Sequence, residues 1–267
     1  MTKLEVPDYE ALISFAHKMA DQSAVEIMRL FRQKIDVANK EGDEGFDPVT
    51  DADRAAERLM RTLVAEHWSE HDFYGEEFEN RDRNAEYQWC IDPIDGTRSF
   101  IMGIPTWGTL IGLKKSGLPY LGLMNQPFTS ERYWSTETDT HYSGPDGPRK
   151  LTTRECPDIE NAILATTDPG LFLEGIETES FAKVAARTRL NRYGSDCYAY
   201  CMLASGTCDV IVEAGLQPFD IMALIPIVEK AGGKVTTWTG DDASNGGRIL
   251  ATGDPVLHEK VLTLLNI

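Results

Sequence analysis

No run of apolar residues is long enough to span a bilayer, and the opening "MTKLEVPDYE" lacks the basic and then apolar regions of a signal peptide, so a cytoplasmic protein is expected. There is no CxxC pair, and the five cysteines are an odd number, which argues against a disulfide framework and for reduced thiols. Cys90, Cys197, Cys201 and Cys208 stand among apolar neighbours and read as small core residues. The five histidines lack metal-ligand spacing; His67 and His71, four apart, read as surface residues of one helical face. Positive charge is scarce, with 26 Lys and Arg against 43 Asp and Glu. A net charge of −17 argues against nucleic acid or an anionic membrane as partner, and an anionic substrate needs an intervening cation.

What is present is a chain of 267 residues, 42% hydrophobic, enough for a single domain of two packed halves. Apolar residues recur at helical spacing from Asp8, a cap, to about Phe31. After a polar stretch, "NKEGDEGFDPVTDAD", Thr50 opens a second helix with Asp53 completing a capping box, and Leu59, Met60, Leu63, Val64 and Trp68 form its buried face. Two short strands, "DFYGEEF" and "YQWCIDPIDGT", end in acidic residues, and an antiparallel meander runs from Thr106 to Tyr142. The loop "SGPDGPRK" is the expected boundary between halves 1–147 and 148–267, the first carrying the metal site and the second the substrate wall. Beyond it strands and helices alternate, with one helix expected over "FDIMALIPIVEKAG". The pattern predicts an α/β fold in which layers of helix and sheet alternate.

One stretch demands a reason. In "WCIDPIDGTRSF", Asp92 ends an apolar strand, Pro93 fixes the next backbone angle, Asp95 follows, and Gly96 admits a ligand close to the main chain. Thr97 then stands at a helix N-terminus, where free N–H groups favour an anion. Carboxylates for a cation beside amides for a phosphate suit Mg²⁺ in phosphoryl chemistry. Taken alone, the two aspartates serve equally well as a turn and a helix cap. Three further acidic stops, Glu76 and Glu77 in "GEEF", Asp51 and Asp53 in "DPVTDAD" and Asp220 in "QPFDIMAL", each have a capping or solvated reading too, yet every one falls at an element end.

Together, "GEE", "WCIDPIDGTRSF" and "PFDIMALIPIVEKAGG" resemble the two signature regions of the inositol monophosphatase-like, Mg²⁺-dependent, lithium-sensitive phosphatases, and "DPVTDAD" resembles a third element of that family. The resemblance implies a sugar-phosphatase-type αβαβα arrangement and a homodimer, for which the apolar meander from Trp107 to Tyr133 is a candidate interface. It implies that Glu76, Asp92 and the Ile94 carbonyl bind one Mg²⁺, that Asp92, Asp95 and Asp220 bind a second, and that Glu76 holds a weaker third. It matches Asp51 and Thr97 to the pair that orients the attacking water, with Glu76 beside them, and Asp95, Gly96 and Thr97 to the phosphate. The reaction implied is hydrolysis of a small phosphate monoester by in-line attack of water, without a phospho-enzyme.

Substrate choice rests on the opposite wall. "DCYAY", "EAGLQPFDIMALIPIVE" and Arg98 in "DGTRSFI" are most similar to the histidinol-phosphate phosphatases, which act in histidine biosynthesis. Histidinol phosphate carries an ammonium and an imidazole, so Asp196, Glu213 and Asp220 suit its pocket, whereas an inositol ring can use neutral partners. Asp196 also reads as a helix cap and Glu213 as a strand-end carboxylate. Three readings stay open: histidinol-phosphatase, a broader inositol or sugar monophosphatase, and a non-catalytic metal-binding scaffold.

Overall fold

Asp8 begins the first helix as expected, its carboxylate accepting from Ala11 N at 2.7 Å, and Leu12, Phe15, Ala16, Met19, Ala20 and Ile27 form the buried face of α1 (Tyr9–Met28). The computed structural model describes residues 8–34, 37–39 and 48–266; the polar stretch over 40–47 and the first seven residues lie outside them. Strands β1 (Val37–Asn39) and β2 (Pro48–Thr50) pair antiparallel and lead into α2 (Asp51–His67). The capping box is present: Thr50 Oγ1 accepts from Ala52 N at 3.1 Å, and Asp53 Oδ2 accepts from Thr50 N at 2.9 Å.

A seven-stranded sheet follows. Strand β3 (Asp72–Gly75) runs parallel to β4 (Tyr87–Asp95), and α3 (Thr97–Met102) turns the chain into β5 (Gly108–Lys115). The meander continues antiparallel through β6 (Leu118–Gln126), β7 (Glu131–Ser135), β8 (Thr140–Ser143) and β9 (Arg149–Leu151). Because β9 is bonded to β8, the loop "SGPDGPRK" turns within this sheet, and the chain leaves it only after Leu151.

The rest alternates as β10 (Ile163–Thr166), α4 (Ile176–Ala185), β11 (Leu190–Tyr193), α5 (Asp196–Ala204) and β12 (Val210–Leu216). Then come α6 (Pro218–Ile221), α7 (Leu224–Glu229), β13 (Lys234–Thr237), β14 (Gly247–Thr252) and α8 (Pro255–Leu265). The second sheet has the order β11-β10-β12-β14-β13, parallel among its first three strands and antiparallel beyond. Three buried clusters set the layers. Residues of α1 and α2 pack on one face of the first sheet, α5 to α7 fill the space between the sheets, and α4 and α8 cover the outer face of the second. The fold is a mixed α/β sandwich of alternating αβαβα layers.

The helix expected over "FDIMALIPIVEKAG" is interrupted at Met222–Ala223, because Pro226 has no N–H to return to the Met222 carbonyl. This junction sits on a cross-strand glycine pair, Gly112 and Gly122. A Cβ on Gly122 would lie 1.9 Å from the Ala223 carbonyl oxygen, and one on Gly112 2.9 Å from Ala223 N. His71, expected at the surface, is buried: its ring stacks on Trp68 and Tyr87, and Trp89 Nε1 donates to its Nδ1 at 3.1 Å. Burial lowers its pKa to about 4.

Candidate active site

Strand β4 is the axis of the site. Side chains three apart on a regular strand face opposite ways. Between Asp92 and Asp95 the pairing with β5 shifts register, an irregularity that tolerates Pro93, which has no ladder donor, and re-aims one side chain. The strand therefore continues through Asp95 rather than ending at Asp92. Thr109 Oγ1 donates to the Pro93 carbonyl at 2.8 Å, and Thr97 Oγ1 donates to the Ile94 carbonyl at 3.1 Å.

Asp220, third residue of α6, joins this turn from the layer between the sheets. One carboxylate oxygen each from Asp92, Asp95 and Asp220 lie within 4.8 Å of one another. Each of these side chains also accepts one backbone amide: Ile94 N to Asp92 Oδ1 at 2.9 Å, Cys197 N to Asp95 Oδ2 at 2.7 Å, and Gln217 N to Asp220 Oδ2 at 2.7 Å. The amides fix the carboxylates, and each keeps a second oxygen that no amide engages. That cavity, about 540 Å³, is lined by Glu76, Asp92, Ile94, Asp95, Gly96, Thr97, Arg98 and Asp220, with Leu171, Gly215, Gln217 and Phe219.

Burial and mutual repulsion set the electrostatics. Asp92 is held well above the usual carboxylate range by burial, then by Glu76, Asp95 and Asp220. Burial, then the charge of Asp196, push Asp95 up to about 7 against the Cys197 amide. Burial and then Asp95 raise Asp220.

Glu76 enters from the end of β3. Its turn is held to α2 by the buried Glu57, which accepts from Glu77 N and from Arg61 Nε, both at 2.7 Å, while Arg61 reaches the Phe78 and Glu79 carbonyls at 2.9 Å. Glu57 was not among the residues singled out from sequence; its signal is only a carboxylate on the apolar face of α2. The two aspartates of "DPVTDAD" behave oppositely. Asp51 is exposed at the first position of α2 and does not line the cavity. Asp53 is wholly buried, its Oδ1 has no hydrogen-bond partner, and burial, opposed by Thr50 and reinforced by Glu76, pushes it up to about 6.

The second-half carboxylates stand behind the lining. Glu213 is buried and has both oxygens engaged: Oε1 accepts from Thr167 N at 2.8 Å and Thr167 Oγ1 at 3.0 Å, and Oε2 from Thr166 Oγ1 at 3.2 Å. Burial nonetheless pushes it up to about 8. Asp196 accepts from Ser99 Oγ at 2.8 Å through Oδ2, and burial raises its pKa against Ser99 and Arg98. Leu171 and Phe219 escaped the sequence reading because an apolar residue beside an acidic stop carries no chemical signal.

A model of the inositol monophosphatase family matches residues 8–267. The chain belongs to the inositol monophosphatase family. Among its relatives, a bifunctional phosphatase, IMPL2, of Arabidopsis thaliana is 38% identical, the match covering 99% of this chain and 78% of that one. A histidinol-phosphatase of Mycobacterium tuberculosis is 33% identical over 82% of this chain and 85% of its own. A solved inositol monophosphatase from Zymomonas mobilis superposes with a TM-score of 0.86 at 38% identity, covering 98% of this chain and all of that one.

Enzymes of this phosphatase family are metal-dependent, and the residues here fit a hard divalent cation. The clustered donors are carboxylate oxygens, with no histidine or cysteine among them in the described residues. Their crowding keeps them from all ionising together unless a cation enters. Oxygen-only donors of this kind suit Mg²⁺.

Proposed function

We propose that this inositol monophosphatase-family phosphatase is a Mg²⁺-dependent monoesterase that converts L-histidinol phosphate and water to L-histidinol and phosphate. The observation that carries the phosphatase reading is the trio Asp92, Asp95 and Asp220, each fixed by a backbone amide through one oxygen, with their carboxylates converging on the cavity. Glu76, Asp92 and the Ile94 carbonyl would hold one Mg²⁺, Asp92, Asp95 and Asp220 a second, and Glu76 a weaker third. Bound there, Mg²⁺ supplies charge to draw in the substrate phosphate and lowers the pKa of a water.

The chain's own groups do the rest. The Gly96 and Thr97 amides receive the phosphate, and Asp95 would meet it through the cation it holds. Thr97 Oγ1, now 3.1 Å from the Ile94 carbonyl, orients the attacking water. Neither aspartate lines the cavity, and the proton acceptor assigned with it is Asp53 rather than Asp51, because Asp53 Oδ1 is buried without a partner and feels the charge of Glu76, whereas Asp51 is exposed. A scaffold that held metal only for structure has no use for such an orphaned acceptor. No side chain is asked to become phosphorylated, and a phospho-enzyme found by mass spectrometry after rapid quench overturns this step.

Asp196, with Oδ1 left over from the Ser99 bond, and Glu213 behind it support a cationic substrate such as histidinol phosphate, as do the relatives named histidinol-phosphatase. The match to the Zymomonas mobilis structure favours the second reading, an inositol or sugar monophosphatase. A panel of phosphate monoesters with and without EDTA tests both. Turnover that survives EDTA removes the metal, and a higher kcat/KM for inositol 1-phosphate than for histidinol phosphate removes the substrate.

A further inference from the structure

The N-terminus of α5 touches the acidic turn of β4 through a backbone held out of its preferred range. Asp196 has φ +43°, in the left-handed region. Five non-glycine residues among those described have positive φ; Arg32, Asn84, Ser116 and Ser130 lie at exposed positions, whereas Asp196 is partly buried. Such a conformation persists only where surrounding contacts over-determine it.

Those contacts all reach the same turn. Asp196 Oδ2 accepts a hydrogen bond from the Ser99 hydroxyl at 2.8 Å. Ser99 has one proton, so its oxygen is left to accept from Thr106, whose single hydroxyl proton is shared between Ser99 Oγ at 3.0 Å and the Gly194 carbonyl, just before α5, at 3.1 Å. Gly96, at φ +85°, faces Asp196 so closely that a Cβ there would lie 3.0 Å from the Asp196 Cβ. The next residue then delivers its amide to Asp95 Oδ2 at 2.7 Å. A carboxylate pinned through one oxygen has little freedom left to rotate the other away from the cavity.

We propose that Thr106, Ser99 and Asp196 form a hydroxyl clasp that closes the second half onto the β4–α3 turn and, through the Cys197 amide, fixes the orientation of Asp95. Ser99 and Thr106 are positioning residues: neither lines the cavity. Asp196 acts in the clasp through Oδ2 and, like Ser99 and Thr106, stands behind the cavity lining. The inference rests on Asp95 being a metal ligand, as proposed above.

Mg²⁺ binding measured by calorimetry on the full chain tests it, alongside kcat and KM for histidinol phosphate. Ser99→Ala is expected to weaken Mg²⁺ about 10-fold and to lower kcat similarly, with KM nearly unchanged; Ser99→Thr restores both, and Thr106→Val shows a smaller loss in the same direction. A purely structural role lowers the unfolding temperature of the metal-free chain without moving the Mg²⁺ affinity, and that result, in whichever of the two deletion variants folds, overturns the clasp. Asp95→Asn keeps the two ideas apart. If it leaves Mg²⁺ affinity unchanged, the metal-site reading fails; if it weakens Mg²⁺ while Ser99→Ala and Thr106→Val do not, only the clasp fails.

Discussion

The two walls of the cavity treat their carboxylates differently. At the β4 turn, Asp92, Asp95 and Asp220 each accept one backbone amide, and their carboxylates crowd together at the cavity. In the second half, Glu213 has both oxygens engaged by Thr166 and Thr167, and Asp196 is half engaged by Ser99. A carboxylate that its own chain satisfies is part of the scaffold; one that its chain crowds and leaves open awaits a ligand. On the proposed reading a cation completes the first wall, and the second shapes what lies beside it.

Replacing charge on each wall breaks the comparison most directly. Asp95→Asn or Asp220→Asn is expected to reduce kcat at least ~10³-fold, because a fixed ligand position is lost, while the metal-free protein unfolds at a higher temperature once the repulsion is relieved. Asp53→Asn is expected to lower kcat about 10²-fold, and Asp51→Asn by less than about twofold, measured at saturating Mg²⁺. Equal losses in the two would return the water-orienting role to sequence position alone.

On the second wall, Glu213→Gln is expected to cost about 10-fold in kcat/KM for histidinol phosphate, mainly through KM, above about pH 8 where the carboxyl is ionised, and little below it, since the amide keeps the shape but not the charge. A fall in kcat as large as that of Asp95→Asn erases the distinction between the walls.

The smallest effect is on stability. Asp53, Asp95 and Glu213 have folded-state pKa values raised to about 6, 7 and 8. A raised carboxyl pKa stabilises the fold fully below the unfolded value near 4, and that contribution is lost as pH climbs through the folded value. With EDTA present, the unfolding temperature is therefore expected to fall by roughly 5 °C or more between pH 5 and 8.5. Mg²⁺ restores it at the alkaline end. Glu213→Gln should flatten the upper part of the curve and keep the Mg²⁺ response, whereas Asp95→Asn should remove that response.

What sequence could reveal depended on distance along the chain. Asp92, Ile94, Asp95, Gly96 and Thr97 fall within one strand, turn and helix start, so their convergence is a local matter and readable. Asp53 satisfied a capping box, which was explanation enough until the packing of β3 and β4 brought Glu76 beside it. Glu57 holds the Glu76 turn across 20 residues of chain, and Ser99 reaches Asp196 across 97. No spacing encodes those meetings. His71 looked exposed because its helix-period neighbour His67 belongs to α2, while His71 lies beyond the helix among Trp68, Tyr87 and Trp89.

The cross-strand pair Gly112 and Gly122 gives the site a dimension of its own. With no side chain between sheet and helix, the α6–α7 junction rests directly on main chain, and α6 carries Asp220 to the height of Asp92 and Asp95. The gauge of the proposed cation site would therefore be set by two missing methyl groups, and a single one added at Gly122 would lift one jaw of the vice before touching any ligand.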